Sequence, residues 1–345
     1  MSAFKKAPGI FALSVIGLMA FIAVFAYLIS PDTSPSANTM NLALATIPPG
    51  SKIEFVHIKK ETPPAETPFW ERLINGTPAQ TEALPIREVE RIEGGYQVVD
   101  FATNMPRIIP ESKFIRTEKK TFILGTDRYG RDVLSRLFIA TRVSFLIGSI
   151  AVLISLLIGV PLGLIAGYYG GIADRAIMWL VNVMWSVPGL LLVIAFTLAL
   201  GKGLFQVFLA IGLTMWVEVA RLVRGQVKSL RSRSYVEVAK MMGFPPGRIM
   251  IRHILPGVLH PVIVVSAANF ATAILLESGL SFLGYGAQPP TPTWGGMVKD
   301  HWPFLLMGKA HLVLWPGLCI VLLVLACMFL GNALRDQTDP RKQLS

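Results

Sequence analysis

Six stretches of this chain run apolar for roughly 20 residues each, at 10–29, 143–166, 177–200, 204–220, 258–282 and 312–331. An apolar helix of about 20 residues, rising 1.5 Å per residue, crosses the roughly 30 Å of bilayer hydrocarbon. No other feature constrains the fold as strongly, because a segment in lipid must satisfy its own backbone hydrogen bonds. The run at 204–220 is the shortest. Composition agrees: 53% of the 345 residues are apolar and 15% charged, with a mean hydropathy of +0.57. Soluble domains carry about 25% charged residues. Disorder, a collagen-like fibre and a small disulfide scaffold are excluded. The two cysteines, Cys319 and Cys327, lie in an apolar run with neither redox nor metal spacing. The first run is read as an uncleaved span. It is longer than a signal core of about 7–15 residues, and residues 27–31 show no small-x-small cleavage site.

The formal charge of +11 follows the expected topology. With six spans, the N-terminus, the 221–255 segment and the C-terminus share one side. Lys5 and Lys6 give +2. Eight Lys/Arg against Glu237 give the 221–255 segment +7, and the tail after Gly331 adds +1, so that side carries +10. The positive-inside rule makes it cytoplasmic. No nucleic-acid partner is needed to explain the basic balance.

Residues 31–140 hold 14 Lys/Arg and 14 Asp/Glu, and residues 31–120 hold 11 of the 24 prolines. This part is too polar to span. Residues 52–58 alternate partly, as a half-buried strand does. Residues 91–101 read as a hairpin turning at Gly94-Gly95 in a type I′ turn. The expectation is a small β-containing cap on the outer face, set against an irregular Pro-rich loop.

No nucleotide-binding or catalytic signature occurs: Gly201-Lys202 is followed by Gly203, not by Ser or Thr. The five histidines, at 57, 253, 260, 301 and 311, are scattered. The chain is expected to conduct or bind, with no enzyme activity, cofactor or metal. The basic segment 221–256 carries more information. Ser234 suits a helix cap with Glu237 in the first turn. Gly243 suits a left-handed C′ position, and Pro245 or Pro246 the start of a second helix. The product is helix, bend, helix, leading at Pro256 into the fifth span. Such an elbow could pass displacement from a cytoplasmic partner to the spans; an ordinary solvated basic loop is the alternative.

Several other residues invite comment. Gly159, Gly163 and Gly167 form a smooth stripe where a helix can approach closely. Glu218 and Glu277, ionisable and near expected span ends, are transport candidates. Pro188 and Pro316 can kink their spans.

Glu237-Val-Ala239, three residues, Gly243, nine residues and His253-Ile-Leu-Pro256 together resemble the Glu-Ala-Ala loop of bacterial ABC-importer permeases. The His-Ile-Leu-Pro ending is similar to the dipeptide/oligopeptide/nickel branch. Leu124-Gly-Thr-Asp-Arg-Tyr-Gly-Arg-Asp-Val-Leu-Ser-Arg136 resembles the segment leading into the C-type permease subunit of that branch. Gly167-Tyr-Tyr-Gly-Gly171, Ala220-Arg-Leu-Val-Arg-Gly-Gln226, Glu277-Ser-Gly-Leu-Ser-Phe-Leu-Gly284, Gln288-Pro-Pro-Thr-Pro-Thr-Trp-Gly295 and Leu334-Arg-Asp336 also match, so the resemblance covers about residues 122–341. Val238 in place of the second Ala and the Pro245-Pro246 pair depart from the pattern, and nothing in the family maps onto 31–120.

The resemblance implies an all-α membrane protein with six transmembrane helices in the type I ABC importer permease fold, with a small extracytoplasmic, β-containing insertion between helices 1 and 2. The expected divisions are 1–30 (tail and first helix), 31–121 (insertion), 122–333 (permease domain, with its loop at 221–256) and 334–345 (cytoplasmic tail). It implies a homologous permease partner, two cytoplasmic ATP-binding subunits and an extracytoplasmic peptide-binding protein, all at the bacterial inner membrane. Glu237, Ala239, Gly243 and Pro256 would couple to the ATPase, with small residues at 239 and 243 letting its surface come close. Gly125, Asp127, Gly130, Arg131 and Asp132 would form the extracytoplasmic lead-in. The expected cargo is di- or oligopeptide, with nickel or another small solute as the alternative and a receptor or scaffold as the reading from another class.

Overall fold

The computed structural model describes residues 7–60, 64, 67–201 and 203–338. Lys5, Lys6, Lys202, Asp339, Arg341 and Lys342, used above, lie outside the described residues. Among the described residues, five helical stretches are long and apolar enough to cross a membrane. They are α1 (Ala7–Ile29), α3 (Val133–Tyr169), α6 (Leu204–Arg231), the run Pro246–Leu283, and the stretch His311–Asp336 within α11 (His311–Thr338). Pro246–Leu283 contains the short turn α8 (Pro246–Arg248), a π-helical stretch Ile249–Ile254 and α9 (Leu255–Leu283).

The expected span at 177–200 is not one straight helix. α4 (Gly171–Trp185) and α5 (Gly189–Leu200) meet at 94°. Pro188 has no N–H to continue the ladder, and it pushes Val187 out of the α region. The Ser186 hydroxyl donates to the Val183 carbonyl at 2.7 Å and closes α4. The expected kink is therefore a full break, and a sixth span exists only if the bent pair is counted as one. Pro316, by contrast, sits inside continuous α11.

The chain divides into two compact units. One comprises residues 1–20, 144–288 and 319–345. Its organising contact is the glycine stripe of α3 against α6. A Cβ on Gly159 would lie 2.7 Å from the Trp216 carbonyl and from Val219 Cβ. One on Gly163 would lie 2.6 Å from the Ala220 carbonyl and Val223 Cβ, and one on Gly167 2.6 Å from Val227 Cβ. Each step of four residues on α3 is matched by four on α6, so the two helices run parallel with backbones nearly touching. This pairing also corrects the length of the fourth span. The apolar run stops at residue 220, but Val219, Val223 and Val227 stay buried at helical spacing, so α6 continues to Arg231. Residues 221–231 of the expected loop are helix.

The other unit comprises residues 21–143 and 289–318. It contains a five-stranded antiparallel sheet: β1 (Ser51–Lys59), β2 (Thr81–Ile92), β3 (Gly95–Asp100), β4 (Pro106–Pro110) and β5 (Phe114–Phe122), in the order β4-β3-β2-β1-β5. The two edge strands β4 and β5 are consecutive in sequence, joined by residues 111–113. Four Cα steps reach at most roughly 14 Å, so the sheet must curl until its edges approach. Tyr96 on β3 accordingly stacks on Phe114 of β5, with ring centroids 3.8 Å apart. Alternation on β1 puts Ile53 and Phe55 with Leu44 and Phe122 in one cluster, and Val56 and Ile58 with Ile86, Val98 and Ile109 in another. The β2–β3 turn is Glu93-Gly94, with Gly94 at φ 87°; Gly95 already pairs with Ile92, so the expected Gly94-Gly95 turn is shifted by one residue. The unit also holds the short helices α2 (Phe69–Asn75) and α10 (Trp294–His301).

Gly163→Leu should destabilise the protein by about 1–3 kcal/mol through overpacking. Gly225→Ala on α6, where a Cβ would meet nothing within 4 Å, should not lower stability, because Ala favours a helix over Gly. Thermal unfolding in detergent, read by size-exclusion of the remaining monodisperse protein, measures both.

Candidate functional site

The basic segment folds as a helical elbow. α6 ends at Arg231, and α7 (Ser234–Met241) follows. Arg233, not Ser234, occupies the cap position, in extended conformation and without a side-chain cap, and its carbonyl accepts from Val236 N–H at 2.9 Å. Glu237 lies in the first turn, where an acid suits the helix dipole. At the other end Gly243 has φ 78°. Its N–H donates to the Lys240 carbonyl (2.9 Å), and Phe244 N–H donates to the Ala239 carbonyl (3.2 Å). This 5→2 and 6→1 pair is a Schellman cap. Phe244 completes it by packing beneath the bend.

Pro245 then precedes α8, with Pro246 at its first position. Pro256 is the second residue of α9, preceded by the π turn over Ile249–Ile254. A proline ring clashes with the carbonyl four residues back, here that of Arg252. Widening the preceding turn relieves that clash, and Leu255 N–H accordingly bonds to the Met250 carbonyl, five residues back.

The elbow's underside is a continuous apolar core. Val236 and Ala239 of α7 and Ile249 and Ile254 of the π turn pack with Tyr168 of α3, Val223 and Val227 of α6 and Val258 of α9. Ala239 is 3% exposed. Its smallness serves this internal contact. Gly243 is exposed, as expected, and a Cβ there would meet nothing within 4 Å. Glu237 is also exposed. On the outer side Tyr235, Val238, Met241, Met242 and Ile251 stand in solvent, Met241 at 86%. Sequence reading missed this apolar surface; Val238, noted only as a departure from the motif, belongs to it.

An ion cluster also unrecognised in the sequence braces the elbow's base. Asp174, in the first turn of α4, accepts both Nε and Nη2 of Arg224 (Nη2 at 2.8 Å) and Lys228 Nζ at 2.7 Å. The Arg pair is bidentate, the strong geometry for a guanidinium and a carboxylate. Gly170 and Gly171, at φ 67° and 54°, make the turn that delivers Asp174 there. The signal was present in two motifs, Gly167–Gly171 and Ala220–Gln226, but nothing in either says that they meet.

The five lead-in residues come together as a buried knot within the other unit. Asp127 is fully buried and accepts from Arg131 Nε at 2.6 Å and from the backbone N–H of Tyr129 and Arg131, with Arg136 Nε at 3.7 Å. Arg131 Nη1 donates to Asn38 Oδ1 at 2.9 Å. Asp132 caps α3 by accepting from Ser135 N–H at 3.1 Å, and burial holds its carboxyl above the usual range. Gly125 and Gly130 have φ 76° and 70°, and their faces press on the backbone of Ile47 and Asn41. These residues fix the start of α3.

Of the two acid candidates, Glu277 is fully buried on α9 and accepts from Ser281 Oγ at 2.6 Å. Glu218 lies midway along the longer α6, exposed within this chain, on a cavity of about 340 Å³ at the Pro188 break that Trp185, Thr214 and Thr272 also line.

Ala239→Leu should destabilise the protein by about 1–3 kcal/mol by overpacking the elbow's underside, whereas Glu237→Ala should change stability little. Thermal unfolding of the two purified variants against the parent distinguishes them.

Residues 159–344 match the family described as binding-protein-dependent transport system inner membrane component. Among curated relatives, the glutathione transport system permease protein GsiD of Pectobacterium atrosepticum is 41% identical over 218 residues, covering 63% of this chain and 72% of its own length. The dipeptide transport system permease protein DppC of Alkalihalophilus pseudofirmus is 42% identical over 217 residues, covering 63% and 71%. The oligopeptide transport system permease protein OppC of Bacillus subtilis is 37% identical over the same length, with the same coverage. The elbow, its glycine-stripe support and the Asp174 clamp all fall inside the matched region, and the chain belongs to the family of inner-membrane components of binding-protein-dependent transport systems, as a permease subunit of an ABC importer.

Proposed function

We propose that this permease imports small peptides, di- or oligopeptides, across the bacterial inner membrane. The relatives are permeases of glutathione, dipeptide and oligopeptide systems, and glutathione is itself a tripeptide. The chain pairs with a homologous permease, receives substrate from an extracytoplasmic peptide-binding protein, and docks its elbow on one of two ATP-binding subunits. ATP hydrolysis belongs to those subunits; this chain is not an enzyme. Both termini face the cytoplasm, and the sheet-bearing insertion, residues 31–121, lies outside. The permease domain comprises residues 122–333, ahead of a cytoplasmic tail.

One observation carries the reading: the elbow is apolar on both sides. Its buried side is continuous with α3, α6 and α9, and its outer side exposes Val238, Met241 and Met242. Exposed apolar surface of this kind suits a partner interface, and Met adapts readily to a partner's shape. Displacement of α7 by the ATPase is passed to three membrane helices, because close-packed cores transmit strain. Gly243 sets the bend, and Glu237 adds a charge in the first turn of α7.

Gly243→Val places a β-branched residue in left-handed conformation at a cost of about 1–2 kcal/mol. Co-purification of the ATPase should fall roughly tenfold, and peptide uptake should fall with it. Gly243→Asn, which tolerates φ > 0, should retain both. Met241→Ser with Met242→Ser should weaken co-purification without lowering thermal stability. Uptake of labelled di-, tri- and longer peptides at matched expression tests the cargo; uptake unchanged by loss of this chain would overturn the importer reading for peptides. For topology, a membrane-impermeant thiol reagent should label Ser51→Cys in intact cells and miss Ser232→Cys.

A further inference from the structure

Helix α2 is amphipathic, and its apolar face is uncovered. At 100° per residue, Phe69, Leu73, Trp70 and Ile74 fall within about 140° of arc, and Glu71, Asn75 and Arg72 occupy the opposite side. No residue of α2 is buried. Trp70 is 70% exposed, Phe69 59% and Ile74 55%. Phe69 and Trp70 meet edge to face at 5.6 Å, so the two rings form one apolar ledge. A short helix that packed on its own sheet would bury this face.

The helix is held in one place. Gly76, at φ 79°, ends it against α1: a Cβ there would lie 2.5 Å from the Thr33 carbonyl and 2.8 Å from the ring of Tyr27. Thr77 N–H donates to the Thr33 carbonyl at 2.7 Å. Arg142, on α3, donates from Nη1 to the Leu73 carbonyl at the C-terminal end of α2, where a cation suits the dipole, and lies over the Tyr27 ring at 5.6 Å. Tyr27 belongs to the last turn of α1. At 1.5 Å per residue the 23 residues of α1 span roughly 35 Å, a little more than the hydrocarbon core, so Tyr27 sits at headgroup level. α2 is thereby fixed at the membrane boundary, beside a helix whose own Phe21, Val24 and Leu28 are exposed on an apolar surface.

We propose that α2 lies on the bilayer, with Phe69, Trp70, Leu73 and Ile74 in the boundary between headgroups and acyl chains, and anchors the sheet-bearing insertion to the lipid surface. The occupant of the apolar face is lipid because the helix is tied to the headgroup-level end of α1 through Tyr27 and Thr33, on a span that itself exposes Phe21, Val24 and Leu28. Trp is a residue favoured at such boundaries. The anchor limits how far the curled sheet can rise from the membrane. It requires α1 and α3 to be spans and is independent of which side of the membrane the insertion occupies and of what is transported.

The test uses the assembled importer in lipid nanodiscs, with a nitroxide on Trp70→Cys, Ile74→Cys or Glu71→Cys, and compares collisional broadening by oxygen with that by a water-soluble nickel chelate. Positions 70 and 74 should favour oxygen over nickel severalfold, and position 71 should show the reverse. Phe69→Cys, a third exposed site on the same face, replaces either variant that fails to assemble. Nickel accessibility at 70 and 74 equal to that at 71 would place the helix in water and overturn the proposal. Protection from both agents would show that protein, such as a second subunit, covers the face, and would overturn it as well. Neither readout depends on transport, so loss of uptake and loss of the anchor are separable.

Discussion

The close approach of α3 and α6 is the contact on which the rest of the transmembrane unit depends. Gly159, Gly163 and Gly167 place backbone against the valines of α6 at distances no side chain would allow. In lipid, helices gain little from hydrophobic exclusion of one another, so van der Waals contact of this kind supplies the association. The same pairing extends α6 beyond its apolar run and so brings Val223 and Val227 to the base of the elbow. It also carries Arg224 and Lys228 to Asp174. Stripe, clamp and elbow form one continuous device: the glycines set the helix spacing, the ion cluster fixes the turn before α4, and the valines seat α7.

The elbow and the lead-in knot use polar groups in opposite ways. In the knot, Asp127, Arg131 and Asp132 are buried and spend their hydrogen bonds on the local backbone and on one another. Buried charge without such partners would be costly, so these residues fix a conformation. In the elbow the charged side chains stay in water, and it is apolar side chains that project outward. The elbow exposes Met and Val, whereas the knot conceals its carboxylates and holds the first turn of α3.

Much of this was legible in the sequence where the signal is local. Apolar run length marked the membrane helices because the bilayer's thickness imposes it. Gly243 announced a left-handed cap, and Pro245-Pro246 the restart that follows it, because both act through the backbone of a few adjacent residues. The hairpin at 91–101 was visible, although its turn moved to Glu93-Gly94 once the pairing of Ile92 with Gly95 set the register. Contacts between segments distant in the chain were not legible. Nothing local in the sequence says that Ala239 meets the chain's own core. Ser234 suggested a cap, yet the cap position falls one residue earlier, at Arg233.

The sequence by itself determined which stretches are apolar enough for the bilayer, where the charge lies along the chain and which glycines and prolines bend the backbone, since hydropathy, net charge and φ preference are properties of short stretches. Only the tertiary structure decided that the 177–200 run breaks at 94° about Pro188, that strands β4 and β5 draw the sheet into a curl, and that Asp174 meets Arg224 and Lys228 from fifty residues away. It also left one face of α2 uncovered beside Tyr27. These depend on which surfaces come into contact after folding. A pattern of residues fixes the faces a helix or strand presents, but packing determines which of them are covered.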